Sequence, residues 1–388
     1  MAKLGELGKI ITGNTPKTSD AQNYESNDIC FVKPSDFTDN EITEIHQSEF
    51  YISAYAKDKA RVLPTDSILV TCIGIIGKVA INKVPCAFNQ QINAIIPERK
   101  ICDPRYVAYA IQNVQPQMQN TANAAVVPIL NKTRFSNIEI PLPSLETQKQ
   151  IVEFLDKVTS LISLRKQQLA KLDELVKARF VEMFGDPADN VNNLTVSPMT
   201  AICQIIDGDR GKNYPKQEEF SDSGFCLFLN AKNVTAQGFS FENCTYITEE
   251  KDALLRNGKL CRGDVVLTTR GTIGNLAFYD TSVPYENIRI NSGMVILRMN
   301  KQVVSEIFFI EQFKMQLDSI KSRIASGSAQ PQLPISTMNK IEMILPPIEL
   351  QNQFSAFVER VDKQKQTVQQ SLEKLELMKK ALMQEFFG

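Results

Sequence analysis

Apolar positions recur at a period close to 3.5 along two long stretches of the chain. In the first, one line runs Leu155, Ile162, Leu169, Val176, Met183, and its companion runs Ile151, Val158, Arg165, Leu172, Arg179. In the second, the lines run Val358, Lys365, Leu372, Lys379, Phe386 and Phe354, Val361, Val368, Leu375, Leu382. This spacing predicts two long helices, each with a heptad seam. Each follows a proline pair, Pro141/Pro143 or Pro346/Pro347, and no Gly or Pro intervenes before Gly185 or Gly388. Proline suits the entry of a helix and not its interior. A helix of about 39 residues spans about 58 Å. Charges break the seam at different heptads: Arg165 stands where the second stretch has Val368, and Lys365 where the first has Ile162. The two helices are therefore expected to pair antiparallel, since a globular stretch separates them. The pairing set is Leu155, Val158, Ile162, Leu169 and Leu172 with Val358, Val361, Val368, Leu372 and Leu375. Packing of each helix on its own globular stretch alone leaves much of so long a helix uncovered.

The two stretches are copies. NIEIPLPSLETQKQ (137–150) aligns without a gap on KIEMILPPIELQNQ (340–353), an offset of 203 residues, and both copies end in Phe-Gly. The preceding segments repeat more loosely. ILVTCIGIIGKVAI (68–81) is similar to VVLTTRGTIGNLAF (265–278), and FNQQINAIIP (88–97) to ENIRINSGMVILRM (286–299). The order is globular, helical, globular, helical, a duplication on the scale of a whole domain.

Both globular stretches read as β-rich, with β-branched runs broken by Gly and short helices near 104–119 and 303–321. Asn, Gln, Thr and Lys collect in the connections TGNTPKTSD (12–20), FNQQIN (88–93), DGDRGKNYPK (207–216) and SGSAQPQ (326–332). Asn and Gln bond adenine through two atoms in the major groove, and Arg or Lys does so for guanine. The candidate binding residues are Asn14, Lys33, Asn89, Gln90, Gln91, Arg210, Asn287, Arg289, Asn291, Ser328 and Gln330. Lys17, Lys78, Lys212 and Arg270 are candidates for phosphate contact, which sets register without reading sequence.

Composition narrows the field. Apolar residues make up 43% and charged ones 22%, the profile of a globular protein. No apolar run nears the roughly 18 residues of a membrane span, and no signal-peptide core opens the chain, so a cytoplasmic location is expected. Eight scattered cysteines with no C-x-x-C pair read as reduced, mostly buried thiols, and the single His46 leaves no zinc cluster. GIIGK (74–78) departs from a phosphate loop at Cys72 and Val79. His46 lies in a polar stretch, and no G-x-S-x-G elbow is present. No catalytic residue, metal site or cofactor site is assigned. The net charge of −1 is low for a chain that holds a polyanion alone.

The two LP-x-x-E-x-Q segments (142–148 and 345–351), TGNTP (12–16), TTRGTIG (268–274), SGSAQPQLPIS (326–336) and the duplication resemble the specificity subunits of type I restriction–modification systems. The resemblance implies an α+β fold with a pseudo-two-fold internal repeat. Two target-recognition domains, residues 1–140 and 187–343, would be separated by spacer helices, 141–186 and 344–388, forming an antiparallel coiled coil. It implies sequence-specific binding of a bipartite site on double-stranded DNA, with no catalysis by this chain. The resemblance also implies two methyltransferase (modification) subunits docked on the helices, with two restriction/translocase subunits completing the assembly. On this resemblance S-adenosylmethionine, Mg2+ and ATP are expected on those partners, and a duplex clamped by them would relieve the charge deficit. The first copy reads TCIGIIGK where the second has TTRGTIGN, and TANAAVVPILN (121–131) where the second has the Gly-Ser-Gln loop. The alternative is a coiled-coil adaptor with two ligand-binding heads and no DNA role.

Overall fold

Ser144 caps the first long helix, Leu145–Phe184, by accepting the main-chain N–H of Thr147 at 3.2 Å. Gly185, at φ +80, ends it in the left-handed region that favours glycine. The second long helix, Ile348–Phe387, follows Pro346–Pro347 directly and has the same length of 40 residues. The computed structural model describes residues 1–39, 41–121, 128–324 and 332–388.

The chain divides into two compact units, Met1–Lys166 with Gln369–Gly388, and Gln167–Val368. Each unit therefore takes in half of each long helix, because those halves bury apolar faces in the unit's own core. In the first unit the start of one helix meets the end of the other: Ile151 and Leu155 share a core with Met383 and Phe387. In the second, Val176, Phe180 and Phe184 share a core with Phe354, Val358 and Val361. Phe180 and Phe354 meet edge to face at 5.4 Å. The helices run antiparallel in both units, and ion pairs flank the seam, Lys166–Glu376 in the first and Lys365–Asp173 in the second.

Burial along the helices departs from a strict heptad at the ends. Val158, Ile162, Val368 and Leu372 are buried, while Leu169, Leu172 and Leu375 are half-buried. Towards the C-terminal end the buried line of the first helix runs Val176, Phe180, Phe184, and that of the second runs through Met383 and Phe387, steps of four. Met183 and Phe386, on the 3.5-residue lines, are only half-buried. An undistorted helix turns every 3.6 residues, so its buried stripe drifts where it packs on a globular core.

The globular parts are β-rich, and they repeat one topology. The main sheet of the first unit orders its strands Gly8–Thr12, Ile92–Pro97, Ile68–Thr71, Val79–Asn82, Thr43–Ile45. That of the second orders Cys203–Asp207, Met294–Met299, Asp264–Thr268, Leu276–Phe278. A smaller sheet in each contains a parallel pair, Ile29–Val32 with Cys86–Phe88 and Cys226–Leu229 with Ile288–Ile290. The helices expected near 104–119 and 303–321 are Pro104–Asn113 and Gln115–Thr121 in the first unit and Glu306–Ile324 in the second. Among the described residues, no helix is long and apolar enough to cross a membrane. Six of the eight cysteines are buried, and burial pushes the thiols of Cys72, Cys86, Cys203 and Cys226 up to about 12.

Candidate nucleic-acid interface

The TCIGIIGK and TTRGTIGN runs form the same turn. Gly74 and Gly271 lie at φ +76 and +73, Gly77 and Gly274 at +86 and +95. The hydroxyl of Thr71 accepts the N–H of Lys78 at 3.0 Å, as Thr268 accepts that of Asn275 at 3.0 Å. Ile76 and Ile273 are buried under the turn. In this frame Ile73 occupies the place of Arg270, and Ile75, 61% exposed, that of Thr272. One tip is apolar and the other carries a guanidinium.

Register places three loops at one end of the main sheet in each unit. In the second unit Asp207 pairs with Val295 and Thr268 with Met294, so the loop after Asp207, the Thr268–Leu276 turn and the loop before Met294 emerge together. Arg210 donates to Asp207 Oδ1 at 3.1 Å and to the Ser292 carbonyl at 3.2 Å, and the backbone of Arg270 bridges to Gln332. A cleft of about 280 Å³ lined by Asp207, Arg210, Thr269, Arg270 and Gln332 opens there. In the first unit Thr12 pairs with Asn93 and Thr71 with Ile92, which brings the 13–20, 72–78 and 89–91 loops together.

A tight backbone contact orders both sets. A Cβ on Gly13 would meet the Asn89 carbonyl oxygen at 2.1 Å, and one on Gly208 that of Asn291 at 2.3 Å. The next residues, Asn14 and Asp209, act alike. Asn14 Oδ1 accepts the N–H of Arg61 at 2.9 Å, and Asp209 Oδ2 that of Arg256 at 2.7 Å. Burial would raise the Asp209 carboxyl, but the N–H groups of Gly211, Arg256 and Asn257 outweigh it and hold it below the ordinary carboxylate range.

The sequence candidates separate accordingly. Lys17, Gln90, Arg210, Lys212 and Arg270 are exposed. Gln90 accepts from Thr15 at 2.7 Å, and Lys33 stands 3.1 Å over the Phe50 ring. Gln91, Asn287 and Asn291 are half-buried. Asn14 is spent on the backbone of Lys59 and Arg61, and Asn89 on Gln91. Lys78 is 13% exposed and pairs with Asp39 at 2.6 Å. Arg289 lies inside the second unit, bonded to the Asp252 carboxylate and to the carbonyls of Asn257, Asp252 and Leu255. A guanidinium with its donors spent this way is a brace, not a base reader. Ser328 and Gln330, and residues 122–127 of the first-copy loop, lie outside the described residues. Sequence reasoning missed Asp209, whose role is visible only through the backbone it gathers. It also missed Lys9, Arg61 and Lys132, far apart in the chain but lining one hollow of about 510 Å³.

Residues 1–174 and, again, 193–377 match the type I restriction modification DNA specificity domain, so the family match reproduces the duplication. The MjaIX specificity subunit of a type I restriction enzyme from Methanocaldococcus jannaschii is 24% identical, over 92% of this chain and 85% of that protein. The HindI specificity subunit of Haemophilus influenzae is 31% identical over 47% of this chain and 40% of its own. The crystal structure of the S subunit from M. genitalium has the same fold, with a TM-score of 0.58 at 15% identity, covering 100% of this chain and 95% of the other. A second solved chain, from a type I R-M system, gives 0.57 at 15% identity over 99% and 96%. With both halves matched and the repeated fold in place, this chain belongs to the type I restriction–modification DNA specificity family, whose members confer sequence specificity on their enzymes.

Proposed function

We propose that the chain reads a bipartite duplex sequence, one half through the loop end of each unit, and positions partner subunits that carry out the chemistry. The observation that carries this is the convergence of three loops at one end of the main sheet in both units, polar except at the Ile73–Ile75 tip. Residues 1–140 and 187–343 act as the target-recognition domains, and 141–186 and 344–388 as the spacer. Lys17, Gln90, Arg210, Lys212 and Arg270 form the exposed contact set, with Arg210 and Arg270 in one cleft. S-adenosylmethionine, Mg2+ and ATP are handled by the methyltransferase and restriction subunits, in the cytoplasm where the DNA lies.

Two methyltransferase subunits suit the duplication of the helices. In the second unit Leu175 (46% exposed) and Phe357 line an open groove beside Arg179 and Arg360. The repeat offset of 203 residues carries these positions onto Met378 and Phe154 of the first unit, which are 52% and 59% exposed. Apolar side chains kept outside on both copies suit one partner per copy. Exchange of residues 1–140 for those of a relative, followed by mapping of methylated adenines in cells, tests the reading. One half of the methylated sequence should change and the other persist. Persistence of both halves would remove the assignment and favour an adaptor without a DNA role.

A further inference from the structure

Arg61 Nη1 donates to the Thr12 carbonyl, which turns the guanidinium towards the edge strand Gly8–Thr12. Lys9 projects from that strand, and Lys132 opens the short helix Lys132–Ser136 beside it. The three line one open hollow of the first unit with Ile10, Ile11 and Thr12, and no carboxylate is among its walls. Among the described residues none of the three forms an ion pair, unlike Lys59, Lys78, Arg99 and Arg105 of this unit. Lys59 pairs with Asp20 at 2.9 Å, Lys78 with Asp39 at 2.6 Å, Arg99 with Asp66 at 2.8 Å and Arg105 with Asp156 at 2.6 Å. In a chain of net charge −1, three cations gathered without counterions stand apart.

The second unit does not keep this hollow. Strand register puts Gln204 at the place of Lys9, since Lys9 pairs with Ile96 and Gln204 with Arg298 at matching positions of the central strand. The repeat offset puts Ile335 at the place of Lys132. The units thus carry their free cations differently. The second has Arg210 and Arg270 at the turn, whereas the first has Ile73 at the turn and its cations along the sheet edge.

Resting on the DNA-binding reading, we infer that the Lys9–Arg61–Lys132 hollow is a phosphodiester-binding site, through which the first unit grips the duplex backbone. Lysine ammoniums and a guanidinium supply multiple donors and point charges for phosphate oxygens. Arg61 also fixes the loop that Asn14 organises, so backbone grip and the neighbouring loop share one frame. Such a contact positions the unit and is indifferent to base sequence.

The test uses the chain assembled with its methyltransferase subunits and a duplex of arbitrary sequence, about 40 base pairs or near four helical turns long. Binding is measured across a salt series for the unaltered chain, K9A/K132A, K9R/K132R and R270A. K9A/K132A should bind more weakly and flatten the dependence of log affinity on log salt by roughly two, about 0.9 for each phosphate no longer neutralised. K9R/K132R should bind like the unaltered chain, and the methylated sequence should stay the same in all. A weakening caused by unfolding would not be rescued by arginine. Equal affinity and slope in K9A/K132A, with R270A weakened, overturns the hollow and leaves the DNA reading standing. Absence of duplex binding by the unaltered assembly overturns both.

Discussion

The side-chain carbonyl of Gln148 accepts the main-chain N–H of Asp103 at 2.9 Å, joining the first turn of a long helix to the entry of a short one. Its amide donates to the carbonyls of Pro143 at 2.8 Å and Ile101 at 3.2 Å. Gln351 repeats the arrangement, accepting from Ser305 at 3.0 Å and donating to Pro346 at 2.8 Å and Val303 at 3.1 Å. Both side chains are fully buried. The repeated LP-x-x-E-x-Q segment is thus a joint between helix and globular core. Gln148→Leu fills the space but strands an N–H and two carbonyls, each costing about 1–3 kcal/mol when buried and unpaired. The urea midpoint should fall by the equivalent of at least about 3 kcal/mol, and Gln351→Leu should behave alike. An unshifted midpoint would mean that water replaces the side chain at this joint.

Much of this architecture was legible because it is local or periodic. The helices declare themselves through a heptad run bounded by proline and glycine, and duplication doubles that signal. The G-x-x-G turn is readable because two left-handed positions demand glycine at Gly74 and Gly77, and again at Gly271 and Gly274. The interface is less legible. Arg289 and Arg270 look alike in sequence, yet one is spent on Asp252 and three carbonyls and the other is exposed. Only strand pairing decides which side of a sheet a side chain takes. Lys9, Arg61 and Lys132 meet through tertiary contact and leave no local trace.

Arg270 stands exposed at its tip beside Arg210, and it is expected to touch phosphate and not a base edge. Arg270→Ala in the assembled complex should weaken binding of all duplexes alike and lower the salt slope by about one. The test compares the target with single-base variants of the second half-site. A loss of about 1–3 kcal/mol confined to one base position would reassign Arg270 as a base reader.

Acid should unlock the second unit through Asp252. Burial alone would raise its carboxyl, but the Lys259 ammonium and the Arg289 guanidinium override burial and hold it below the ordinary carboxylate range. A folded pKa below the unfolded value means stability that is present above about pH 3.9 and is lost as pH falls through the folded value. Arg289→Met removes the partner and leaves a buried carboxylate short of one cation, which costs about 3–5 kcal/mol at neutral pH. The variant, less stable at the start, should unfold at higher pH, while its deficit relative to the unaltered chain narrows as Asp252 becomes protonated in both. The chain has no tryptophan, so far-UV circular dichroism against pH is the suitable readout. Coincident acid transitions in both proteins would show that Asp252 does not govern this step.

The exposed apolar positions on the helices give the last expectation. Leu175 and Phe154 sit on different units, are 46% and 59% exposed, and belong to neither core, so replacing them leaves the cores untouched. Burial of such a side chain against a partner contributes about 1.5–3 kcal/mol, so Leu175→Ser and Phe154→Ser should each weaken one methyltransferase contact by about 10- to 100-fold. Native mass spectrometry of the assembly should then find one methyltransferase in place of two for either single variant. The double variant should release both while its melting curve stays that of the unaltered chain. Full occupancy in the double variant would place the methyltransferase contact elsewhere and remove the basis for one partner per repeat.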